Sequence, residues 1–423
     1  MPRIRPLCAI IGFLLCLAGR PALAQAPAAS AVPAPQDEAS RRHAVVSWQD
    51  GLSIDSEDGD YQLRLGGLLR FDGRFATNVD APTVVDTLLM HNARLVLAGR
   101  VARFFTYRLV PEFNGGSQPP LADAWMEVAL SSALRLRIGR DKVPAGFETL
   151  LQDANVLFLE RGLTVNLMPI RDVGVQALGD IRGGVVSYAG GVFNGVPDGA
   201  QAGTTDSNSG KDLIGRFVFR PFNNHAGHVF QRFGVAVAGS TGRQTGDLSS
   251  FKTSVQQQYF SYAPGAAASG NRTRISPQVY QYYKGLSWYA EYARSTQAIR
   301  NATATADVAN RAWQVVGGWL VTGETAGERI RPRTPFNPEA RQWGALQVVV
   351  RTGSLAIDRA AFDLGFADAK ASRTIQSTAI GLIWYLTAYT KALLNFERSV
   401  FNDHPQASRP SEHAILFRFQ LNL

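Results

Sequence analysis

The sequence predicts an all-β fold, a transmembrane antiparallel β-barrel of sixteen strands, on three observations. Apolar and polar residues alternate with period two in segments of about ten residues, the length a tilted strand needs to cross a bilayer. The links between these segments are short and long in turn. A leader at the N-terminus marks the chain for export.

In the leader, Arg3 and Arg5 precede an apolar run from Leu7 to Ala18, and Ala22, Leu23 and Ala24 offer a small-residue cleavage site. Residues 1–24 are read as a signal peptide, because the run is short of the roughly 20 residues that a spanning helix needs. Both cysteines, Cys8 and Cys16, fall inside it. The exported chain therefore has no thiol for a disulfide, a metal site or a nucleophile. Loss of Arg3, Arg5 and Arg20 with the leader lowers the net charge from +9 by those three charges, to +6. Lysine occurs only at 142, 211, 252, 284, 370 and 391, so nearly all of the 43 basic residues are arginine. Residues 25–60, first Ala/Pro-rich and then charged, read as a flexible periplasmic lead-in. The barrel domain is assigned to 61–423, with order expected from Tyr61.

The last segment shows the alternation best. Ile415, Phe417, Phe419, Leu421 and Leu423 share one face, and Arg418, Gln420 and Asn422 share the other. The first segment sets Tyr61, Leu63, Leu65, Leu69 and Phe71 against Gln62, Arg64, Arg70, Asp72 and Arg74. Near the middle, Leu134, Leu136 and Ile138 oppose Arg135, Arg137 and Asp141. An apolar face suits lipid and a polar face suits a water-filled lumen. The full set of predicted strands is 61–72, 90–100, 103–113, 122–131, 134–141, 172–179, 184–193, 212–221, 230–239, 271–283, 286–297, 310–321, 341–353, 374–386, 388–399 and 412–423. An even count lets both ends close the sheet without a free edge. Two features do not fit the pattern: 322–340 is long where a turn is expected, and 254–263 has strand character of its own. Tyr61, Phe113, Trp288, Tyr292, Trp319, Trp343 and Trp384 read as aromatics at the two membrane interfaces.

A pore selects anions by lining its narrow part with cationic donors. Arginine suits that task because its planar fork makes paired bonds to oxyanions and keeps its charge at every relevant pH. By strand phase the inward candidates are Arg64, Arg70, Arg74, Arg94, Arg100, Arg108, Arg135, Arg137, Arg216, Arg220, Arg351 and Arg418. The acids on the same phase, Asp72, Glu112, Asp141, Glu291 and Glu397, are fewer. Cross-lumen ion pairing of single arginines is the alternative reading of each. No catalytic constellation, cofactor motif, metal-ligand spacing or nucleic-acid motif is read, and the chain is taken as a channel, not an enzyme.

Several words in the chain resemble the phosphate-selective porins of the O/P type. Leu136 to Glu148 (LRIGRDKVPAGFE) followed by Phe158 to Arg161 (FLER) is similar to that family's third-loop region. Pro169 to Gly174, Val192 to Gly195, Arg274 to Gln278, Ala290 to Tyr292, Leu320 to Glu324, Trp343 to Leu346 with Arg351, and Gly381 with Trp384 to Leu386 follow in the family's order. The resemblance implies an outer-membrane homotrimer that passes phosphate or a related anion, amid outer-membrane lipid and lipopolysaccharide. It also implies that the long third loop, 142–171, folds into the pore and narrows it. Lys142 leads that loop, and the family's lysine-rich central site implies an ammonium in contact with the anion. Glu148, Glu160, Arg161 and Arg171 are expected to anchor the loop to the wall. Leu68, Gln347 and Ile383 depart from the family's usual residues, which keeps a general or differently selective porin as the alternative.

Overall fold

Period-two alternation does in the computed structural model what it predicts in the sequence. Residues 44–48, 51–77, 86–114, 120–203, 206, 208–402 and 409–423 are described. The expected signal peptide and the lead-in before residue 44 lie outside them. Sixteen strands form the barrel: Gln62–Thr77, Thr87–Val101, Phe105–Pro111, Leu121–Ser131, Leu134–Lys142, Arg171–Ile181, Val186–Phe193, Asp212–Phe219, Phe233–Gly246, Ala267–Tyr283, Leu286–Arg300, Thr305–Leu320, Ala345–Ala356, Thr374–Tyr385, Thr390–Asn402 and Glu412–Asn422. Each pairs antiparallel with its sequence neighbour, and the last pairs with the first from His413↔Thr77 to Asn422↔Leu68. That seam closes the sheet into a barrel.

The predicted phases appear as burial. In the last strand Ile415 and Phe419 are exposed to the surroundings of the barrel while Arg418 and Gln420 are buried inside it. The second strand changes phase midway. Arg70 pairs with Asn92 but Phe71 pairs with Met90, so His91 is an extra residue. This bulge turns Leu88 and Met90 outward before it and Leu95 after it. At the seam Gly67 and Leu423 exchange backbone hydrogen bonds. A Cβ on Gly66 would lie 2.5 Å from the Leu423 carbonyl, so glycine is what lets the C-terminus pass.

One expectation changes and two open points are resolved. Order begins before Tyr61, since Ala44–Trp48 and Leu52–Ser56 form a hairpin whose second strand pairs with the first barrel strand at Leu52↔Leu65 and Ser53↔Arg64. The last strand covers only 68–77 of the first, and the hairpin uses the edge that remains. The link 321–344 is a large segment at the turn end, not a miscounted strand, and it buries Ala326 and Ile330 in the interior. Within 247–266, Phe251–Lys252 pairs with Gln258–Phe260 as a small sheet apart from the barrel.

Candidate anion pathway

Side chains that a water-filled lumen would leave solvated are here met by the segment 143–170. Its backbone is bonded to side chains from strands far apart in sequence. Phe147 N donates to Glu291 Oε1 at 2.7 Å, and Leu159 N donates to Asn395 Oδ1 at 3.0 Å. Ala154 O accepts from Gln420 Nε2 at 3.0 Å. Phe147, Leu151, Val156, Phe158 and Leu159 are buried with Val316, Leu320, Val349 and Ile383 of the wall. Those inward positions are apolar because the segment packs on them, which removes water from that side of the interior. Gly162 permits the closest approach, for a Cβ there would sit 1.6 Å from Gln314 Oε1.

One carboxylate organises the cations of this region. Asp153 accepts from Arg94 Nη1 at 2.5 Å, Arg161 Nη2 at 2.7 Å, Arg171 Nη2 at 2.9 Å and Lys142 Nζ at 3.1 Å. Burial alone would raise its pKa, but Arg171, Lys142, Arg161 and Arg94 outweigh burial and hold the carboxyl well below the usual carboxylate range. Asp123 and Glu112 share Arg171 and Arg94, so four cations against three acids leave the cluster with one net positive charge. Glu160 behaves in the opposite way. It accepts from Arg74 Nη2 at 2.5 Å, yet burial pushes its carboxyl above the ordinary value.

A cavity of about 720 Å³ lies beside these groups, and Arg70, Arg74, Arg94, Arg161, Arg171 and Arg351 are among the residues that line it. Asp153, Glu160 and Glu397 supply its acids. Arg70 differs from its neighbours. It is 5% exposed, and its Nε and Nη2 have no hydrogen-bond partner among the described residues. A buried guanidinium in that state carries an uncompensated desolvation cost, which an oxyanion with two acceptor atoms would relieve.

The other arginines predicted from phase fall into distinct settings. Arg74, Arg94, Arg108, Arg135, Arg137, Arg351 and Arg418 each meet a carboxylate, mostly on the adjacent strand along the wall and not across the lumen. Arg137 also lies 4.0 Å from the Trp125 ring centroid, and Arg351 lies 4.4 Å from that of Phe158. Arg216 donates to Gln278 Oε1 at 3.0 and 2.8 Å, and Arg220 to the Tyr280 hydroxyl at 2.9 Å. Arg64 is exposed near the N-terminal hairpin, and the Nε of half-buried Arg100 has no partner among the described residues.

The residues expected to anchor the third loop are bonded within it and to the wall. Glu148 Oε2 accepts from Gly162 N and Gln314 Nε2, both at 2.8 Å. Arg161 donates to the carbonyls of Glu148 and Leu151, and Arg171 Nε to Asp123 Oδ1 at 2.7 Å. Lys142 belongs with them by geometry, since its buried ammonium donates to the Leu151 carbonyl as well as to Asp153.

Arg272, Arg274 and Lys391 are inward cations that the sequence reading missed. Arg272 and Arg274 both reach Asp212 Oδ2, at 2.8 and 2.9 Å, and Arg274 also bonds Asp198. The strand predicted there opens Asn271-Arg272-Thr273-Arg274, where no apolar partner marks the phase. Lys391 is buried with its ammonium 3.4 Å from the Val156 carbonyl. Extending the alternation of Ala392, Leu394 and Phe396 backwards would have found it. Among the described residues no group of three or more His, Cys, Asp or Glu is placed to hold a metal ion.

The family model described as phosphate-selective porin O and P matches residues 66–423 of the chain. Solved structures share the fold at low identity. The outer membrane channel DcaP of Acinetobacter baumannii is 11% identical with a TM-score of 0.54, covering 87% of this chain and 99% of its own. The anion-selective porin from Comamonas acidovorans is 11% identical at a TM-score of 0.52, covering 86% and 100%. The trimer form of OmpT, an outer membrane protein of Vibrio cholerae, is 10% identical at 0.51, covering 85% and 99%. No curated protein sequence matches the chain.

Proposed function

Because the chain belongs to the phosphate-selective porin O and P family, an outer-membrane porin family, we propose that it passes phosphate or a related oxyanion by diffusion through an arginine-lined lumen. The segment 143–170 narrows the path in this reading. Glu148, Glu160, Arg161 and Arg171 hold it in place, and Lys142 joins them as an anchor instead of meeting the ion. The ion contacts fall to Arg70, with Arg94 and Arg351 around the same cavity. Arg64, Arg100, Arg108, Arg135, Arg137, Arg216 and Arg220 continue the positive wall, and Arg74 and Arg418 complete the set. The observation that carries the proposal is the Arg70 guanidinium, buried at the cavity beside the positive cluster on Asp153, with Nε and Nη2 that have no partner among the described residues.

Such a site binds through charge-assisted fork contacts while remaining open enough for release. Titrating phosphate into chloride during single-channel recording is the test. The proposal expects phosphate to block chloride current, and chloride current indifferent to phosphate would overturn the oxyanion specificity. A general porin is the second reading. It is favoured by the seven arginines already neutralised by carboxylates, and by Leu68, which occupies a buried position where the family commonly has arginine. The homotrimer expected from the family belongs to this proposal, and OmpT is one related fold described in a trimer form. Outer-membrane lipid and lipopolysaccharide are the surroundings it implies.

A further inference from the structure

Not every arginine of the barrel faces the lumen. In the strand Leu286–Arg300 the even positions face outward, with Trp288, Tyr292 and Arg294 exposed, while Ser287, Glu291 and Ser295 are buried inside. In Thr305–Leu320 the odd positions do the same, with Arg311, Trp313, Val315 and Trp319 exposed. Register makes Arg294 and Arg311 direct cross-strand partners, one step beyond the pair Tyr292↔Trp313. Two guanidinium groups thus stand side by side on the outer wall. Neither meets a carboxylate among the described residues.

Like charges directly opposite one another destabilise a sheet unless a counter-charge lies between them. Nothing in the fold forces the pair, because the outward positions beside it in register, Thr296 and Ala309, are small and uncharged. The height of the pair identifies what it meets. Leu286↔Trp319 begins these strands at the turn end, beside the link 284–285. From there, eight residues of climb to Arg294 at about 3.3 Å each, on strands tilted by about 40°, raise the pair roughly 20 Å. That is close to the far edge of an apolar band about 25 Å tall. Tyr292 and Trp313 fall just below it, where amphipathic rings settle against headgroups. The face is thus graded from apolar through aromatic to cationic in the order a lipid monolayer presents acyl chain, interface and phosphate.

We propose that Arg294 and Arg311 form a binding site for the phosphomonoester headgroup of a phosphorylated lipid in the outer leaflet. A phosphomonoester dianion supplies three acceptor oxygens and neutralises both arginines at once. The lipid's chains would lie along Tyr292, Trp313 and Val315. The site is separate from the lumen and does not depend on which ion the channel passes.

The test uses the full barrel in detergent, with diphosphoryl lipid A, its dephosphorylated form and inorganic phosphate as probes, read by native mass spectrometry. Loss of two surface cations near an anionic headgroup predicts a fall in diphosphoryl lipid A affinity of roughly 10- to 30-fold in Arg294→Gln/Arg311→Gln. Arg294→Lys/Arg311→Lys retains charge and should keep most of the binding. Channel conductance and the heat-dependent gel mobility of the folded barrel should not change, which separates loss of the site from loss of the fold. Equal lipid A affinity in wild type and the Gln variant would overturn the proposal, as would wild-type binding indifferent to the phosphates on the lipid. Competition by inorganic phosphate at equal concentration would assign the site to the free ion instead. Dissociation of an oligomer by the Gln variant, with lipid binding unchanged, would assign the pair to a contact between subunits.

Discussion

Arg418 and Asp72 face each other across the seam between the last and first strands, joined by Nε to Oδ1 at 2.7 Å and Nη2 to Oδ2 at 2.6 Å. Both side chains are 0% exposed. Their Cα positions are also direct register partners, so the fork that closes the barrel sits on a backbone pair that closes it too. Removing one partner strands a buried charge, which costs about 3–5 kcal/mol. Arg418→Ala should lower unfolding stability in detergent by that order. Asp72→Asn should cost less, because the amide still accepts from the guanidinium. Equal midpoints for Arg418→Ala and wild type in urea would remove the clasp from the account.

Asp153 is the only acid that Arg161 and Lys142 reach among the described ion pairs. Asp153→Asn leaves several cations facing one another with less to separate them, and it should destabilise the barrel by about 3 kcal/mol or more. Protease sensitivity should appear first within 143–170, since local opening precedes global unfolding where a segment is held by few bonds. Cleavage confined to other loops would contradict this.

Glu160 gives the channel a pH dependence whose sign follows from its pairing. Its pKa is raised by burial, so on acidification it becomes neutral earlier than an ordinary glutamate. Arg74 then loses its counter-charge and the lumen gains one positive charge. Anion current should therefore rise as pH falls, and Glu160→Gln should show the high current already at neutral pH. Asp153 stays ionised over the same range because its pKa is held well below the carboxylate norm. A current that falls on acidification in wild type would refute the assignment.

Phe158 fixes the loop to the wall by burial, at 2% exposure, with Arg351 over its ring. Phe158→Ala should cost about 3–5 kcal/mol if the cavity does not collapse. It should also widen the path by freeing the segment, seen as a larger and noisier single-channel current. An unchanged current would mean that this segment does not limit flow.

The strands were legible because one face of nearly every one meets lipid, and lipid tolerates only apolar side chains there. The last strand reads this way from Ile415 to Leu423 without exception. Strand bounds slipped where an inner face is covered, as in the strand predicted at 310–321 and found at Thr305–Leu320. Val308, Ala312, Val316 and Leu320 face inward but are apolar, so the alternation that marks other strands fades in theirs. The candidate site was legible as a list of phases and not as a network. Arg70 and Arg418 sit on neighbouring strands with the same pattern, yet one is clasped by Asp72 and the other is unpartnered. What separates them is register, which sets Asp72 directly opposite Arg418 and gives Arg70 only the uncharged Gln420 and Asn92 as neighbours. Nothing in local alternation encodes those long-range pairings. The bulge at His91 was invisible for a related reason, since one inserted residue looks like ordinary irregularity until its partner strand is placed.

The central claim is that an unpartnered cation, Arg70, meets the permeating ion. Reversal potential in a chloride gradient, for wild type and Arg70→Gln, tests it most directly, with phosphate block measured on the same channels. The account predicts an anion-selective potential in wild type, reduced in the variant, with phosphate affinity lowered about tenfold for the loss of one charge-assisted contact. A cation-selective wild type, or identical selectivity and block in the two proteins, would contradict it.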